Sequence, residues 1–207
     1  MRDSDVAGRS DPESRVTAVV LAAGAASRFG DVKALASLEG RPLLQHVLDA
    51  LAVAGLTDVV VVLGAAADLI EPAIAWRTER RVRNPTPERG LASSLQVGLA
   101  ALSDRDAAAL IVLGDQPRLR PAVVRELIDV WRSGDRPLVV PRYSGSGALN
   151  PVVVGREAWS LAMTLSGDRG LGPLIHASPE LVIEVAVDGD NPDVDTPADL
   201  AGLAAGR

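Results

Sequence analysis

The chain has 207 residues, a formal net charge of −6 and no cysteine. The missing thiols exclude disulfides, thiolate metal sites and cysteine nucleophiles, and the acidic balance excludes general nucleic-acid binding, which needs a basic face. Aromatic residues make up 2% of the chain, so a nucleobase would be read by backbone groups and not by stacking platforms.

A chain of this size buries roughly 70% of the surface its unfolded form exposes and needs no staple to fold. Residues 1–15 (MRDSDVAGRSDPESR) are polar and mixed in charge, which predicts a disordered tail ahead of a single domain over residues 16–207. They lack the apolar core of a signal peptide, and no apolar run reaches the roughly 18 residues that would span a membrane. The expectation is a cytoplasmic protein with no membrane partner.

Val16–Ala22 is a short apolar run rich in β-branched residues, the pattern of a buried strand. Pro42–Val53 has helical periodicity, with Pro42 suited to a first turn and Gly55 to a stop. Asp58–Leu63 is a second buried strand, Asp68–Trp76 a helix and Arg80–Arg83 a short strand. Leu91–Leu102 reads as a helix and Ala108–Leu113 as a buried strand ending at Gly114-Asp115. Pro121–Arg132 is a helix and Leu138–Val140 a strand, followed by a Gly- and Ser-rich loop or hairpin at Arg142–Ala148. Pro151–Val154 is a strand, Glu157–Leu165 a helix, Leu181–Val187 a strand and Pro197–Ala205 a terminal helix. This alternation predicts a mostly parallel sheet with helices on both faces. Ligands of such sheets lie beyond the carboxyl ends of the strands.

The loop after the first strand reads Leu21-Ala22-Ala23-Gly24-Ala25-Ala26-Ser27-Arg28-Phe29-Gly30, followed by Lys33. Small residues there let backbone N–H groups approach a phosphate. A bare loop of this kind is an ordinary turn; Arg28 and Lys33 tip it toward anion binding. It matches neither the P-loop nor G-x-G-x-x-G. Lys33 is also the chain's single lysine, among 21 basic residues, at a place where a compact charge differs from a planar guanidinium.

Asp115, in Gly114-Asp115-Gln116-Pro117, projects from a strand end, where a carboxylate can hold Mg²⁺ or simply form a turn. In Asp193-Val194-Asp195-Thr196-Pro197, Asp195 can be a second metal ligand or, with Thr196, a helix cap. Asn84-Pro85, Gly90, Ser93 and Ser94 can offer amide and hydroxyl contacts, with capping as the alternative for the serines. Asn150-Pro151 and Gly167-Asp168-Arg169-Gly170 fit plain turns. No nucleophilic triad is visible, and His46 and His176 carry no assigned role.

Taken in order, L-A-A-G-x-x-S-R-x-G-x-x-K, the Asn-Pro at 84, G-x-x-S-S, G-D-Q-P, the Asn-Pro at 150, G-D-R-G and D-x-D-T-P resemble the MobA-like NTP transferase superfamily, in its molybdenum cofactor cytidylyltransferase branch. The resemblance spans residues 16 to about 200. It implies a three-layer α/β/α Rossmann-like fold with one antiparallel strand. It implies a Mg²⁺-dependent transfer of an NMP, CMP from CTP, to a small phosphorylated acceptor, molybdopterin or else a sugar phosphate, an alcohol phosphate or another cofactor precursor, with a molybdenum hydroxylase as a further partner. The implied roles are base and phosphate binding by Leu21, Ala22, Ala23 and Gly24, and triphosphate binding and catalysis by Arg28 and Lys33. Asp115 and Asp195 would hold the metal, and Asn84, Gly90, Ser93 and Ser94 would line the nucleotide or acceptor side. Ala23 stands where guanylyl-transferring relatives carry glycine, which favours a pyrimidine. Leu149 stands where relatives often carry glycine, a departure on the acceptor side. The same superfamily holds nicotinamide-dependent reductases of the nicotine blue oxidoreductase type, although this chain has no dinucleotide fingerprint.

Overall fold

The computed structural model describes residues 14–24 and 32–205. The expected tail therefore falls mostly outside the described residues, and the first strand, β1 (Arg15–Ala22), starts one residue earlier than its apolar pattern. The remaining elements run β2 (Ser37–Leu38), β3 (Arg41–Pro42), α1 (Leu43–Val53), β4 (Val59–Leu63), α2 (Ala67–Ile70), β5 (Arg80–Arg83), α3 (Leu91–Ala100), β6 (Asp106–Leu113), α4 (Pro121–Ser133), β7 (Leu138–Tyr143), β8 (Val152–Gly155), α5 (Trp159–Ala162), α6 (Gly172–Ala177), β9 (Val182–Val187) and α7 (Pro197–Ala204).

The main sheet has seven strands in the order β5-β4-β1-β6-β8-β7-β9. All neighbours pair in parallel except β8, which runs antiparallel to both β6 and β7. This is the predicted mostly parallel sheet with one reversed strand. β1, β4 and β6 carry continuous apolar runs because both of their faces are covered. Val16, Ala18 and Val20 of β1 pack with Leu44, Val47 and Leu48 of α1 and Leu127 and Trp131 of α4. Val19 and Leu21 face the other way, onto Leu95 and Leu99 of α3 and Ala162 at the end of α5. The two helix layers enclose the sheet, giving the expected three layers.

Three expected helices are shorter than their sequence patterns. Asp68–Trp76 resolves into α2 and a 3₁₀ turn at Glu71–Ala73, where Pro72 cannot donate to a helical ladder. Glu157–Leu165 becomes a 3₁₀ turn at Arg156–Ala158 leading into α5. Leu91–Leu102 ends at Ala100. The β2–β3 pair, too short to show periodicity, and α6 escaped the sequence reading.

Gly98 fixes how closely α3 lies on the sheet, since a Cβ there would come within 2.3 Å of Val19 Cγ1. That fit lets Leu91, at the helix start, reach the carboxyl end of the sheet.

A polar cluster pins the opposite end. Asp106 is fully buried. Its Oδ1 accepts from Thr17 Oγ1 at 2.6 Å, and its Oδ2 accepts from the Ser103 amide at 2.7 Å and from Ser103 Oγ at 2.8 Å. Arg15 Nε lies 3.0 Å from Oδ1. Burial works to raise the Asp106 pKa, but the Thr17 and Ser103 hydrogen bonds and the Arg15 charge more than offset it, so the group stays below the usual 3.8. A depressed folded value means that the ionised form contributes stability above that range, and the contribution is lost as pH falls through the lowered value. Asp106→Asn should therefore cost about 1–3 kcal/mol at neutral pH. Thermal melts across pH should show the gap to wild type narrowing in acid; a gap independent of pH contradicts this account.

Candidate functional site

The carboxyl ends of β1, β4 and β6 lie side by side, and a cleft of about 890 Å³ opens beyond them. Leu21, Ala22, Ala23 and Gly24 form one wall. Gly114 continues the sheet past β6 by donating its amide to the Leu21 carbonyl at 2.9 Å. Gly64 closes the turn after β4 against the Ala23 backbone; a Cβ there would come within 2.4 Å of the Ala23 carbonyl oxygen. The floor of the cleft is therefore backbone and small side chains, with room for a flat ligand and little chemistry of its own.

The charged groups sit at the rim. Lys33 opens a 3₁₀ turn, Lys33–Leu35. Its Nζ donates to Asp115 Oδ2 and to Asp195 Oδ1, each at 2.6 Å. The Lys33 side chain is 18% exposed, Asp115 27% and Asp195 58%, so the bridge is half sunk on the Asp115 side and open on the Asp195 side. Burial works to lower the Lys33 pKa, but the Asp115 carboxylate, followed by Asp195, outweighs it and holds the ammonium above its ordinary 10.5. Asp115 Oδ1 is buried and accepts no hydrogen bond from any described residue.

The acidic loop is fixed in place from several directions. The Val194 amide donates to the Asp115 carbonyl at 3.1 Å. Gln116 Nε2 donates to Asp193 Oδ1 at 2.6 Å and to the Asn191 carbonyl at 3.2 Å, and Asn191 Nδ2 donates back to Gln116 Oε1 at 3.1 Å. Asp193 lines the cleft and keeps an exposed edge. Even so, the protein packed about its carboxyl, and next the charge of Asp115, push it above the usual carboxylate value. The cap of the last helix is formed without the Asp195 side chain. Thr196 Oγ1 accepts from the Asp199 amide at 3.2 Å, and Asp199 Oδ2 accepts from the amides of Asp195 and Thr196 at 3.0 and 2.7 Å. This capping box caps α7 with Thr196 and Asp199, leaving the Asp195 carboxylate to meet Lys33.

The other sequence candidates divide. Gly90 and Ser94 line the cleft. Asn84 and Ser93 are buried beneath it. Asn84 Nδ2 donates to Ser93 Oγ at 2.8 Å and Ser94 Oγ at 3.0 Å, and its Oδ1 accepts from the Thr86 amide at 2.9 Å. Ser93 Oγ donates to the Thr86 and Gly90 carbonyls at 3.1 and 2.9 Å. These two therefore shape the loop and are not among the residues that line the cleft. Arg28 lies outside the described residues. Asp168, read in sequence as part of a turn, also lines the cleft. Its Oδ1 accepts from the Leu91 amide at 3.3 Å, a contact between segments 77 positions apart that no local pattern announces.

Among the described residues, no three His, Asp or Glu side chains converge into a self-sufficient metal cage. That suits Mg²⁺, which takes one or two carboxylates and completes its shell with water and substrate phosphates. The donors fit such an ion: the free Asp115 Oδ1, and an Asp115–Asp195 pair that already embraces one positive charge. No described helix is long and apolar enough to cross a membrane.

Comparison with known proteins gives a consistent picture. The model of the MobA-like NTP transferase domain matches residues 18–182. Nicotine blue oxidoreductase of Paenarthrobacter nicotinovorans is 34% identical over 191 residues, 87% of this chain and 92% of that protein. Bifunctional protein GlmU of Sorangium cellulosum is 35% identical over 133 residues, which span 60% of this chain and 28% of GlmU. The crystal structure of Rv0371c from Mycobacterium tuberculosis superposes with a TM-score of 0.83 at 33% identity, covering 93% of this chain and 99% of that one. Its manganese complex gives 0.81 at 32% identity, covering 93% and 100%.

Gly90 has φ +90°, and a Cβ there would lie 2.5 Å from Asp168 Oδ1 and 2.6 Å from the Gly167 carbonyl carbon. Both strain and collision oppose a side chain. Gly90→Ala should cost about 1–3 kcal/mol, read as a lower denaturation midpoint, and should loosen the 167–170 loop in hydrogen exchange. An unchanged midpoint would contradict the tight contact.

Proposed function

Because the chain belongs to the MobA-like NTP transferase domain family, we propose that it is a magnesium-dependent nucleotidyltransferase that moves CMP from CTP onto a small phosphorylated acceptor, molybdopterin, releasing pyrophosphate. The observation that carries this reading is the Lys33 ammonium held between Asp115 and Asp195 at the rim of a backbone-lined cleft.

In this reading the Leu21–Gly24 backbone receives the base and phosphates, with Gly64 as the floor. The Ala23 methyl keeps the base site narrow, which favours a pyrimidine. Lys33, with Arg28, meets the triphosphate. When the nucleotide arrives, the Lys33 ammonium exchanges carboxylate partners for phosphate oxygens. Asp115 and Asp195 would then hold Mg²⁺, which would supply charge neutralisation between two polyanions and polarisation of the transferring phosphoryl group. An oxygen of the acceptor phosphate attacks the α-phosphorus in line, and pyrophosphate departs with the bonding electrons. A phosphate monoester is largely ionised at neutral pH, so the step needs no protein base; His46 and His176 are engaged with the Leu38 and Gly172 carbonyls. A molybdenum hydroxylase is the further partner that this acceptor would bring.

The match to nicotine blue oxidoreductase over 92% of that protein favours a second reading, NAD(P)H-dependent reduction of a quinonoid acceptor. Hydride transfer makes no demand for paired metal-holding carboxylates, so the acid pair supports the transferase. Ligands that bind only the native state raise its melting temperature. CTP with magnesium should raise it more than GTP, ATP or NADPH do; an NADPH shift without a CTP shift, together with NADPH oxidation, would exchange the two readings.

Lys33→Ala and Asp115→Ala should each slow pyrophosphate release about 10²-fold or more, the scale of one lost electrostatic contact in a transition state. Near-full turnover by Asp115→Ala would sink the metal assignment.

The ion pair predicts a binding order as well. Manganese titrated into the wild type should bind weakly without CTP and at least tenfold tighter with it. Lys33→Met should bind manganese without nucleotide, because the competing ammonium is gone. Equal manganese affinity in both proteins would refute the exchange of partners.

A further inference from the structure

Beside the cleft a second cavity of about 110 Å³ lies between the start of α3, the end of β6 and the loop entering α6. Leu91, Leu95, Ile111, Leu113, Leu149 and Leu171 wall it. Leu21, Leu91 and Leu113 border both cavities, so the two adjoin. Two polar side chains reach this apolar space. Arg169 is exposed and pairs with no other described residue. Asn150 uses its carbonyl to accept from Tyr143 Oη and Asn191 Nδ2, each at 3.3 Å, while its side-chain amide bonds no described residue.

The 167–170 loop divides its two charges between the cavities. Asp168 lines the larger one, tied there through the Leu91 amide, and Arg169 lines the smaller. The approach is close: a Cβ on Gly170 would lie 2.9 Å from Leu91 Cδ2. A cation that pairs with no described residue, lining a leucine pocket next to the proposed transfer cleft, matches an anion carrying a short apolar group.

We propose that this pocket takes the carbon skeleton next to the acceptor's phosphate. Arg169 neutralises that phosphate at the seam between the cavities. The pocket thereby selects phosphate monoesters of compact, branched, apolar character over sugar and polyol phosphates, which keeps the transferase reading and replaces molybdopterin with a different class of phosphate acceptor. This rests on the transferase reading for the fate of the bound phosphate, one of whose oxygens bonds to the α-phosphorus as the bond to pyrophosphate breaks. An apolar cavity of about 150 Å³ holds a benzene-sized ligand, so the space here suits a group of about four carbons. Each methylene removed from water is worth about fourfold in affinity. A polyol in the same place leaves hydroxyls among leucines with too few partners, with Asn150 able to satisfy only one or two.

Ligand-observed NMR titration of the full chain with isobutyl phosphate and with glycerol 3-phosphate tests this without turnover. Isobutyl phosphate should bind at least tenfold tighter. Leu149→Asn, which polarises the wall at similar volume, should cut that preference below about threefold, and Leu149→Gly, which removes the wall, should cut it as well. Arg169→Gln should weaken both phosphates fivefold or more while leaving their ratio unchanged. Equal affinities in the wild type, or a preference that survives both Leu149 variants, would overturn the assignment. CTP with magnesium is titrated into the same samples. Preference for isobutyl phosphate without CTP binding would sink the transferase reading and keep the pocket; CTP binding with no such preference would do the reverse.

Discussion

One ammonium group between two carboxylates organises the open end of this molecule. Lys33 stands 82 positions from Asp115 and 162 from Asp195, so their contact requires the whole β1–β6 core to be in place. As a surface ion pair the bridge would add little stability. Its value is positional. It stores one positive charge at the point where an anionic ligand would compete for the ammonium and a divalent ion for the carboxylate oxygens. A guanidinium could not substitute easily, because its planar fork spreads its charge and cannot sit as a compact point between two oxygens. That gives a physical reason for a lysine at this position in a chain otherwise furnished with arginine.

The sheet makes the bridge possible through close backbone contacts. β1 and β6 are parallel neighbours, so Ala22 and Leu113 end at the same edge, and Gly114 extends the ladder to Leu21. Asp115 is thereby carried to the cleft beside the loop that follows Ala22. The loop bearing Asp195 belongs to a distant part of the chain, and the Val194 amide joins it to the Asp115 carbonyl. The Thr196–Asp199 capping box then takes over the start of α7 and leaves Asp195 free. Each step is a local satisfaction of polar groups, and together they set three charged side chains within one ligand's reach.

Much of this was legible in the sequence, because parallel buried strands write continuous apolar runs. Val16–Ala22, Asp58–Leu63 and Ala108–Leu113 announced β1, β4 and β6, and the rule that ligands lie past strand ends located Asp115. What stayed hidden depends on tertiary contact. Asn84 and Ser93 carry the residue types of a binding loop, yet their side chains bond Ser94, Thr86, Gly90 and each other. Asp168 resembled a turn residue until α3 was placed against it. The β2–β3 pair has too few residues for a period to register. Gln116 gave no signal beyond its place in a motif, although it holds Asp193 and Asn191 together.

The family likeness reaches proteins of different chemistry, nicotine blue oxidoreductase among them, so the fold alone does not assign a reaction. The backbone-lined floor is common property: any nucleotide, whether a triphosphate or a dinucleotide, can use small residues and exposed amides. The rim is where the chemistries part. Hydride transfer needs two flat partners stacked in a dry site, and acidic side chains beside the cofactor's phosphates would work against it. Phosphoryl transfer between polyanions gains from such acids, because a divalent ion held by them would cancel charge on both partners at once. Under the transferase reading, a buried carboxylate oxygen with no donor among the described residues, at the tip of β6, is costly to keep unpaired, and it is there that a cation would be received.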